Sequence, residues 1–425
     1  MRVWIITVGE PLPTEAIKKR PWRSGIIAQL LTDRGHDVVW WTSTVNHFDK
    51  TLHETGNVVI PVSDRLTVRF LHGKLYRKNI SIDRFINHRQ IGRAFAALAK
   101  EERRPDIILC SLPTLELSEE AVRYGKAMGV PVLLDIRDLW PDEFVSALPR
   151  MLQPLGRFVF APMFAQARNA LRGATGIVAV SETYRDWAYR LGNRTPGQFD
   201  RVFTHGYPAP ALDITPDPAS DGERLRTLGV DPARKSFWFI GTFVGSIDLS
   251  TVIEAARLLR HRDDIEFVIS GAGQDDARYR AEAEGLSNVV FTGWVDPADI
   301  GVLSRHAYAG LGAYKKGALM SLTNKMFEYL AAGTPILLAL PGEAEEIIVG
   351  NGAGLSYEPG NAASLAAAVT NLVDNDQRRN ALSRRARSLF DERFSADRIY
   401  DKFARFLEET AARFNVDRPA RGGSR

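Results

Sequence analysis

Residues 321–340 read SLTNKMFEYLAAGTPILLAL and hold the most specific grouping of reactive side chains in the chain. A polar loop opens a helix at about Thr323–Asn324, and a helix start leaves several backbone N–H groups without intrahelical partners. The amides of Leu322, Thr323 and Asn324, together with the positive end of the helix dipole, suit a phosphate. Lys325 adds a full charge in the first turn, where a cation disfavours the helix unless an anion sits opposite. Glu328 follows three residues later near the same face, placed to accept hydrogen bonds from ribose hydroxyls. The competing reading is a buried amphipathic helix with a surface Lys–Glu pair.

Three other groupings could do chemistry. DIRDLWP, residues 135–141, ends an apolar run, and the carboxyl end of a strand is where ligands bind in α/β sheets. Arg137 and Asp138 are therefore candidate contacts; with equal weight, Asp135 and Arg137 form a salt bridge and Trp140 packs in the core. Arg23-Ser24-Gly25 precedes a helical stretch, and Gly25 permits close approach of backbone to a ligand. Gly271-Ala272-Gly273 follows a strand but is no dinucleotide fingerprint, since Asp276 stands where the third glycine belongs and Asp275 beside it would repel a pyrophosphate. That turn is expected to line a cleft, as is Gly241 after the strand before it.

The elements that position these groups alternate. Strands are expected at 3–8, 37–42, 107–110, 131–135 and 177–180. After a proline-rich stretch they resume at 237–240, 266–270, 289–292, 308–311 and 335–340. Helical patterns between them imply βαβ units and parallel sheets. The expected fold is α/β, with two Rossmann-like domains around a shared cleft: 1–205, a hinge region at 206–235, 236–395, a terminal helix at 396–414 and a disordered tail at 415–425.

Composition narrows the function classes. Of 425 residues, 45% are hydrophobic and 25% charged, which excludes bulk disorder. One cysteine excludes a disulfide scaffold and thiolate-rich metal sites. No run of 18 apolar residues spans a membrane, and the first residues read as a strand rather than a signal peptide. A cytoplasmic protein with at most peripheral membrane contact is expected. Net charge is only +4, yet residues 66–104 hold ten Lys/Arg against three Asp/Glu, interleaved with Phe70, Leu71, Leu75, Tyr76, Ile80, Phe85 and Ile86. That mixture suits an anionic bilayer or a lipid diphosphate, with a solvated face over a core stripe as the even alternative. No nucleic-acid recognition motif accompanies it.

VPVLLDIRDLWPDE, SETY after residue 180, and LTNKMFEYLAAGTPIL resemble the retaining glycosyltransferases of family 4, as do RGHDVVWWT and VVFTGWV. The chain looks most like bacterial enzymes of colanic-acid, O-antigen and capsule assembly. The resemblance implies the GT-B fold, a nucleotide diphosphate sugar on the C-terminal domain and an acceptor on the N-terminal one. It implies that Glu328 holds the donor ribose, while Lys325 and the amides of Leu322 to Asn324 hold the diphosphate. It further implies that the Val295 backbone meets the base, and that Gly25 approaches the diphosphate. Three features depart from the family pattern, the last of them a mark of the subgroup. Met320 stands eight residues before Glu328, where many members have a first glutamate. IGTFVGSIDLS carries no basic residue where many have an Arg and a Lys. Arg137-Asp138 replaces a common His-Asp pair, as in the sugar-polymer subgroup.

Sugar transfer needs stabilisation of a departing diphosphate, which fixed charge and amide dipoles supply. The only Asp-x-Asp, residues 374–376, lies between helices, so no metal and no cofactor beyond the donor substrate is expected. The expected activity is a metal-independent, retaining hexosyltransferase acting on a lipid-diphosphate saccharide. A non-catalytic GT-B subunit and a sugar-nucleotide epimerase are the alternatives.

Overall fold

The computed structural model describes residues 1–15, 21–79, 81–207 and 218–416; the proline-rich stretch 208–217, Ile80 and the tail from 417 onward lie outside them. The chain divides into two units, Met1–Thr204 with Tyr400–Arg425, and His205–Ile399.

The first unit is built on an eight-stranded sheet. Its strands in chain order are β1 (Arg2–Ile6), β2 (Asp37–Ser43), β3 (Val58–Ser63), β4 (Leu66–Leu71), β5 (Ile107–Leu112), β6 (Val132–Ile136), β7 (Gly176–Ala179) and β8 (Arg201–Val202). Their spatial order is β3-β4-β2-β1-β5-β6-β7-β8, and every pair is parallel except β3–β4. The apolar runs RVWII, DVVWWTS and IILCSL form central strands because helices cover both faces of a parallel sheet. Trp4 and Trp41 meet edge-on at 5.1 Å, with Phe95 5.1 Å from Trp41. Fully buried aromatics of this kind each contribute about 1.5–3 kcal/mol.

The β3–β4 hairpin accounts for the first part of the basic stretch 66–104. Leu66, Val68 and Phe70 alternate into the core along β4, and Leu71 and Tyr76 are buried as well. Of the apolar residues interleaved in that stretch, Phe70, Leu71 and Tyr76 are thus core, while Ile86 is exposed beside Ile82, as are Arg77 and Lys78. A large apolar surface is presented elsewhere, on helix Gln153–Val159 and the turn before it. Met151 (92% exposed), Leu152, Leu155, Phe158 (79%) and Val159 all face solvent.

The second unit carries six parallel strands: β9 (Lys235–Ile240), β10 (Ile265–Ser270), β11 (Val289–Gly293), β12 (Ala309–Gly312), β13 (Ile336–Leu338) and β14 (Gly354–Ser356), in the order β11-β10-β9-β12-β13-β14. Strand order reverses between β9 and β12, the switch point at which doubly wound sheets bind ligands beyond the strand ends. Helix Ala396–Val416 begins in this unit, and from Tyr400 onward it belongs to the first. There Phe403 stacks on Phe203 at 4.5 Å and Glu408 pairs with Arg34 and His36. No helix among the described residues is long and apolar enough to cross a membrane.

Candidate functional site

In the second unit the site is built on helix Asn324–Ala331. Met326, Phe327, Tyr329 and Leu330 are buried, and Tyr329 bolts the helix to the sheet. Its hydroxyl donates to the Trp238 carbonyl at 2.9 Å and accepts from the Ile240 amide at 3.2 Å. Gly310 in β12 leaves room for the Tyr329 ring, which a Cβ there would strike. Gly333, with φ +68°, ends the helix and returns the chain to β13.

The helix start is open. Thr323 occupies the cap position in extended conformation, yet its side chain makes no capping hydrogen bond; its hydroxyl bonds to the Tyr314 hydroxyl at 2.6 Å instead. The Met326 amide turns back to the Thr323 carbonyl at 3.1 Å, while no capping side chain takes the amides before it; Leu322 is buried beneath and Asn324 exposed.

Lys325 reaches back over the end of β9. Its ammonium lies 4.0 Å from the centre of the Phe239 ring and 5.4 Å from that of Tyr314. Burial among these rings lowers its pKa to about 7, against the opposing pull of Glu328. Gly241, at φ +143°, makes the space: a Cβ there would stand 3.1 Å from the lysine nitrogen.

The strand ends beside Lys325 form a ladder of glycines. The Gly241 amide donates to the Ser270 carbonyl at 3.0 Å, and the Gly271 amide to the Gly293 carbonyl at 2.7 Å. Side chains at Gly271 and Gly273 would overlap the carbonyl oxygens of Gly241 and Phe243. These two glycines are required by backbone-to-backbone packing of the turns, whatever else lies above them. Val295 follows, half-buried between the exposed Trp294 and Asp296, which caps the next helix.

The first two departures from the family pattern fall in one place. Met320 and the segment after β9 touch: the Ser246 hydroxyl donates to the Met320 sulfur at 3.6 Å, and the Lys315 amide to the Ser246 carbonyl at 2.9 Å.

In the first unit the helix start at Gly25 is occupied by the protein itself. The buried Glu10 carboxylate accepts from the Ser24 amide at 3.0 Å, and a Cβ on Gly25 would press on Pro21. The same carboxylate pairs with Arg137. Arg137 also donates to Asp135 at 2.7 Å and to the Ser24 hydroxyl at 2.9 Å, so its nitrogens are engaged. Arg23, which sequence reasoning had treated only as a neighbour of Gly25, grips the other side of Asp135 through two bonds of 2.9 and 3.0 Å. Burial alone would raise the Asp135 pKa; the two guanidiniums hold it down at about 2. Trp140 is buried and stacks with His88. Of the two readings of DIRDLWP, the ion pair and core tryptophan are both present.

Asp138 differs from its neighbour. It is open to solvent, and protein crowding, then the charge of Glu143, raise its pKa to about 7 against Arg84 and Arg137. Around it stand Arg84, whose guanidinium lies 4.7 Å over the Trp140 ring, and Glu143, which accepts from the Trp140 indole at 3.1 Å. His47 and Lys50 escaped sequence reasoning, which read Tyr76 and Arg84 only as part of the basic stretch 66–104, because the four come together from the loops after β2 and β4 and the first turn of helix Ile82–Leu98. Among the described residues no group of three or more His, Cys, Asp or Glu side chains could hold a metal ion.

Comparison with known proteins matches each unit separately. The glycosyl transferase 4-like domain model matches residues 24–208, and the glycosyl transferases group 1 model matches residues 223–389. The O-antigen chain mannosyltransferase C of Escherichia coli is 27% identical over 191 residues, which are 44% of this chain and 50% of that protein. The chain thus spans about half the length of that curated relative. Among solved structures, a sucrose-phosphate synthase from Thermosynechococcus elongatus has a TM-score of 0.74 at 15% identity, covering 97% of this chain and 99% of the other. Anabaena HepE, solved in complex with UDP, has a TM-score of 0.68 at 15% identity over 96% and 99%. At such identities the likeness is one of fold. With a 4-like domain in its first unit and a group 1 domain in its second, the chain belongs to the glycosyltransferases of GT-B fold.

Proposed function

We propose that the protein carries a hexose from a nucleotide diphosphate sugar to a saccharide acceptor linked to a lipid diphosphate, with retention and without a metal, in bacterial surface polysaccharide synthesis. The observation that carries this reading is the uncapped start of helix Asn324–Ala331 with Lys325 beside it. The amides of Leu322 to Asn324, with no side-chain cap, and a poised ammonium stabilise the negative charge that develops as a nucleoside diphosphate leaves. The diphosphate would in turn restore the proton that burial loosens on Lys325. Glu328, three residues on, is assigned to the ribose hydroxyls, and the Val295 backbone to the base. HepE was solved in complex with UDP-glucose, which supports a donor of this class. Arg137 acts in this reading as a positioning residue, and Asp138 is the group open to an acceptor.

A lipid-linked acceptor places the enzyme at the cytoplasmic face of a membrane. The exposed Met151–Val159 surface supports this, since residues 150–164 contain two arginines and no acid.

The test is turnover by the purified protein, assayed with UDP-, GDP-, dTDP- and ADP-sugars and a short prenyl-diphosphate saccharide. Product formed with EDTA present, and lost in Lys325→Ala, is expected. Met320 and the absence of a basic residue after β9 favour a second reading, a non-catalytic subunit that binds nucleotide. Nucleotide binding without turnover in any pairing would select it.

A further inference from the structure

Two cations of the first unit meet on one asparagine with no acid paired to either. Lys50 lies in the loop after β2, and Arg84 in the first turn of helix Ile82–Leu98. The Lys50 ammonium donates to the Asn79 side-chain oxygen at 2.5 Å and to the His47 carbonyl. Arg84 donates to the Asn79 carbonyl at 2.7 Å and approaches the His88 ring at 3.4 Å. Both sit by the Tyr76 ring, the ammonium 5.2 Å and the guanidinium carbon 5.8 Å from its centre. Among the described residues neither makes an ion pair. Asp138 and Glu143 act on Arg84 only from beyond ion-pair distance.

Further features point the same way. Lys50 adopts φ +54°, a strained conformation for a residue with a side chain, which persists where surrounding structure demands it. Arg84 stands in a first turn, where the helix dipole disfavours a cation. His47 shares a hydrogen bond of 2.9 Å with the Tyr76 hydroxyl, and burial followed by the charges of Arg84 and Lys50 pushes its pKa down to about 4. Like charges are thus held together against their repulsion, beside a phenol hydroxyl and a neutral imidazole. An anion with several oxygens relieves that repulsion.

We propose that Lys50, Arg84, His47 and Tyr76 form a phosphate-binding subsite in the first unit, which takes a phosphate or diphosphate ester. Its use as the acceptor's diphosphate subsite rests on the function proposed above; the anion binding itself does not. Lys50 and Arg84 supply the charge, and Tyr76 offers its hydroxyl to a phosphate oxygen. Asp138, near its pKa at neutral pH, stands close to the charge of Arg84.

The experiment uses the full chain carrying Lys325→Ala, which disables the donor site, titrated by calorimetry with geranyl diphosphate, geraniol and inorganic pyrophosphate. Saturable binding of geranyl diphosphate is expected, at least about tenfold weaker in Lys50→Gln and in Arg84→Gln. Geraniol is not expected to bind. Sedimentation with phosphatidylglycerol vesicles separates the sources: a bilayer headgroup as ligand would give Lys50-dependent sedimentation without soluble diphosphate binding. Equal affinity of parent and variants for every probe overturns the subsite. If Arg84→Gln fails to fold, Lys50→Gln, a half-buried loop substitution, carries the test. UDP binding by the protein with Lys325 intact is scored separately, so loss of the donor reading is not mistaken for loss of this one.

Discussion

Replacing Lys325 by methionine is expected to stabilise the empty protein while abolishing its response to nucleotide. Burial holds the ammonium at a pKa of about 7, where an unfolded chain would titrate near 10.5. Between those values the unfolded chain binds the proton more tightly, so stability should rise with pH from about 7 to about 10.5. Below pH 7 the penalty is fully present. At about 1.4 kcal/mol for each pH unit, it is at most about 5 kcal/mol; because Lys325 remains half open to solvent, about 1–2 kcal/mol is the expected size. Methionine keeps the contact with Phe239 and carries no charge, so the variant should gain that amount at pH 6.5 and lose the pH slope. The assay is urea unfolding at pH 6.5, 8 and 9.5, with and without UDP, GDP, dTDP or ADP. One nucleotide at a hundred times its dissociation constant should add about 2.7 kcal/mol to the parent and nothing to the variant. Lower stability of Lys325→Met at pH 6.5, or an undiminished nucleotide response, would refute the reasoning that this lysine is a charge held ready for an anion.

Gly271→Ala, at φ +125° with its Cβ directed onto the Gly241 carbonyl, should cost about 2–4 kcal/mol and disturb the space that Gly241 leaves for Lys325; unfolding and UDP titration read both effects, and an unchanged midpoint would show that the turns are not packed this closely. Asp135→Asn should cost about 3–5 kcal/mol by leaving Arg23 and Arg137 short of their counter-ion. In the parent, the Asp135 contribution, present above about pH 4, should fade as pH falls towards 2, and a variant with the parental acid-unfolding curve would be inconsistent with the buried network. Leu155→Glu with Phe158→Glu should abolish sedimentation with phosphatidylglycerol vesicles while leaving the unfolding midpoint within about 0.5 kcal/mol, since both side chains are exposed; retained sedimentation would move the membrane contact elsewhere.

What was legible in the sequence was local. The alternation of apolar runs with helical patterns states a parallel α/β architecture, because periodicity follows from burial on two faces of a strand or one face of a helix. The helix at 324–331 with Lys325 and Glu328 on one side could be read off spacing alone, and so could Gly333 ending it. The β3–β4 hairpin was missed because the alternation of Thr67 and Arg69 with apolar residues in β4 runs over only six positions, so the strand was absorbed into a basic amphipathic stretch. The run LTVRFL after Asp64-Arg65 is the signal that would have found it.

Only the tertiary structure decided the partners of the charges. Glu10, Arg23, Asp135 and Arg137 are spread over 128 positions and come together because β1, β5 and β6 lie side by side and bring the loops after them to one edge. That placement turns Arg137 into part of a buried network and leaves its neighbour Asp138 open. Lys50, Tyr76 and Arg84 converge for the same reason, through β2 and β4, whose adjacency no local pattern encodes. Sequence spacing sets which side chains share an element; which elements meet depends on the crossover order of the sheet, and the electrostatics of both units follows from that order.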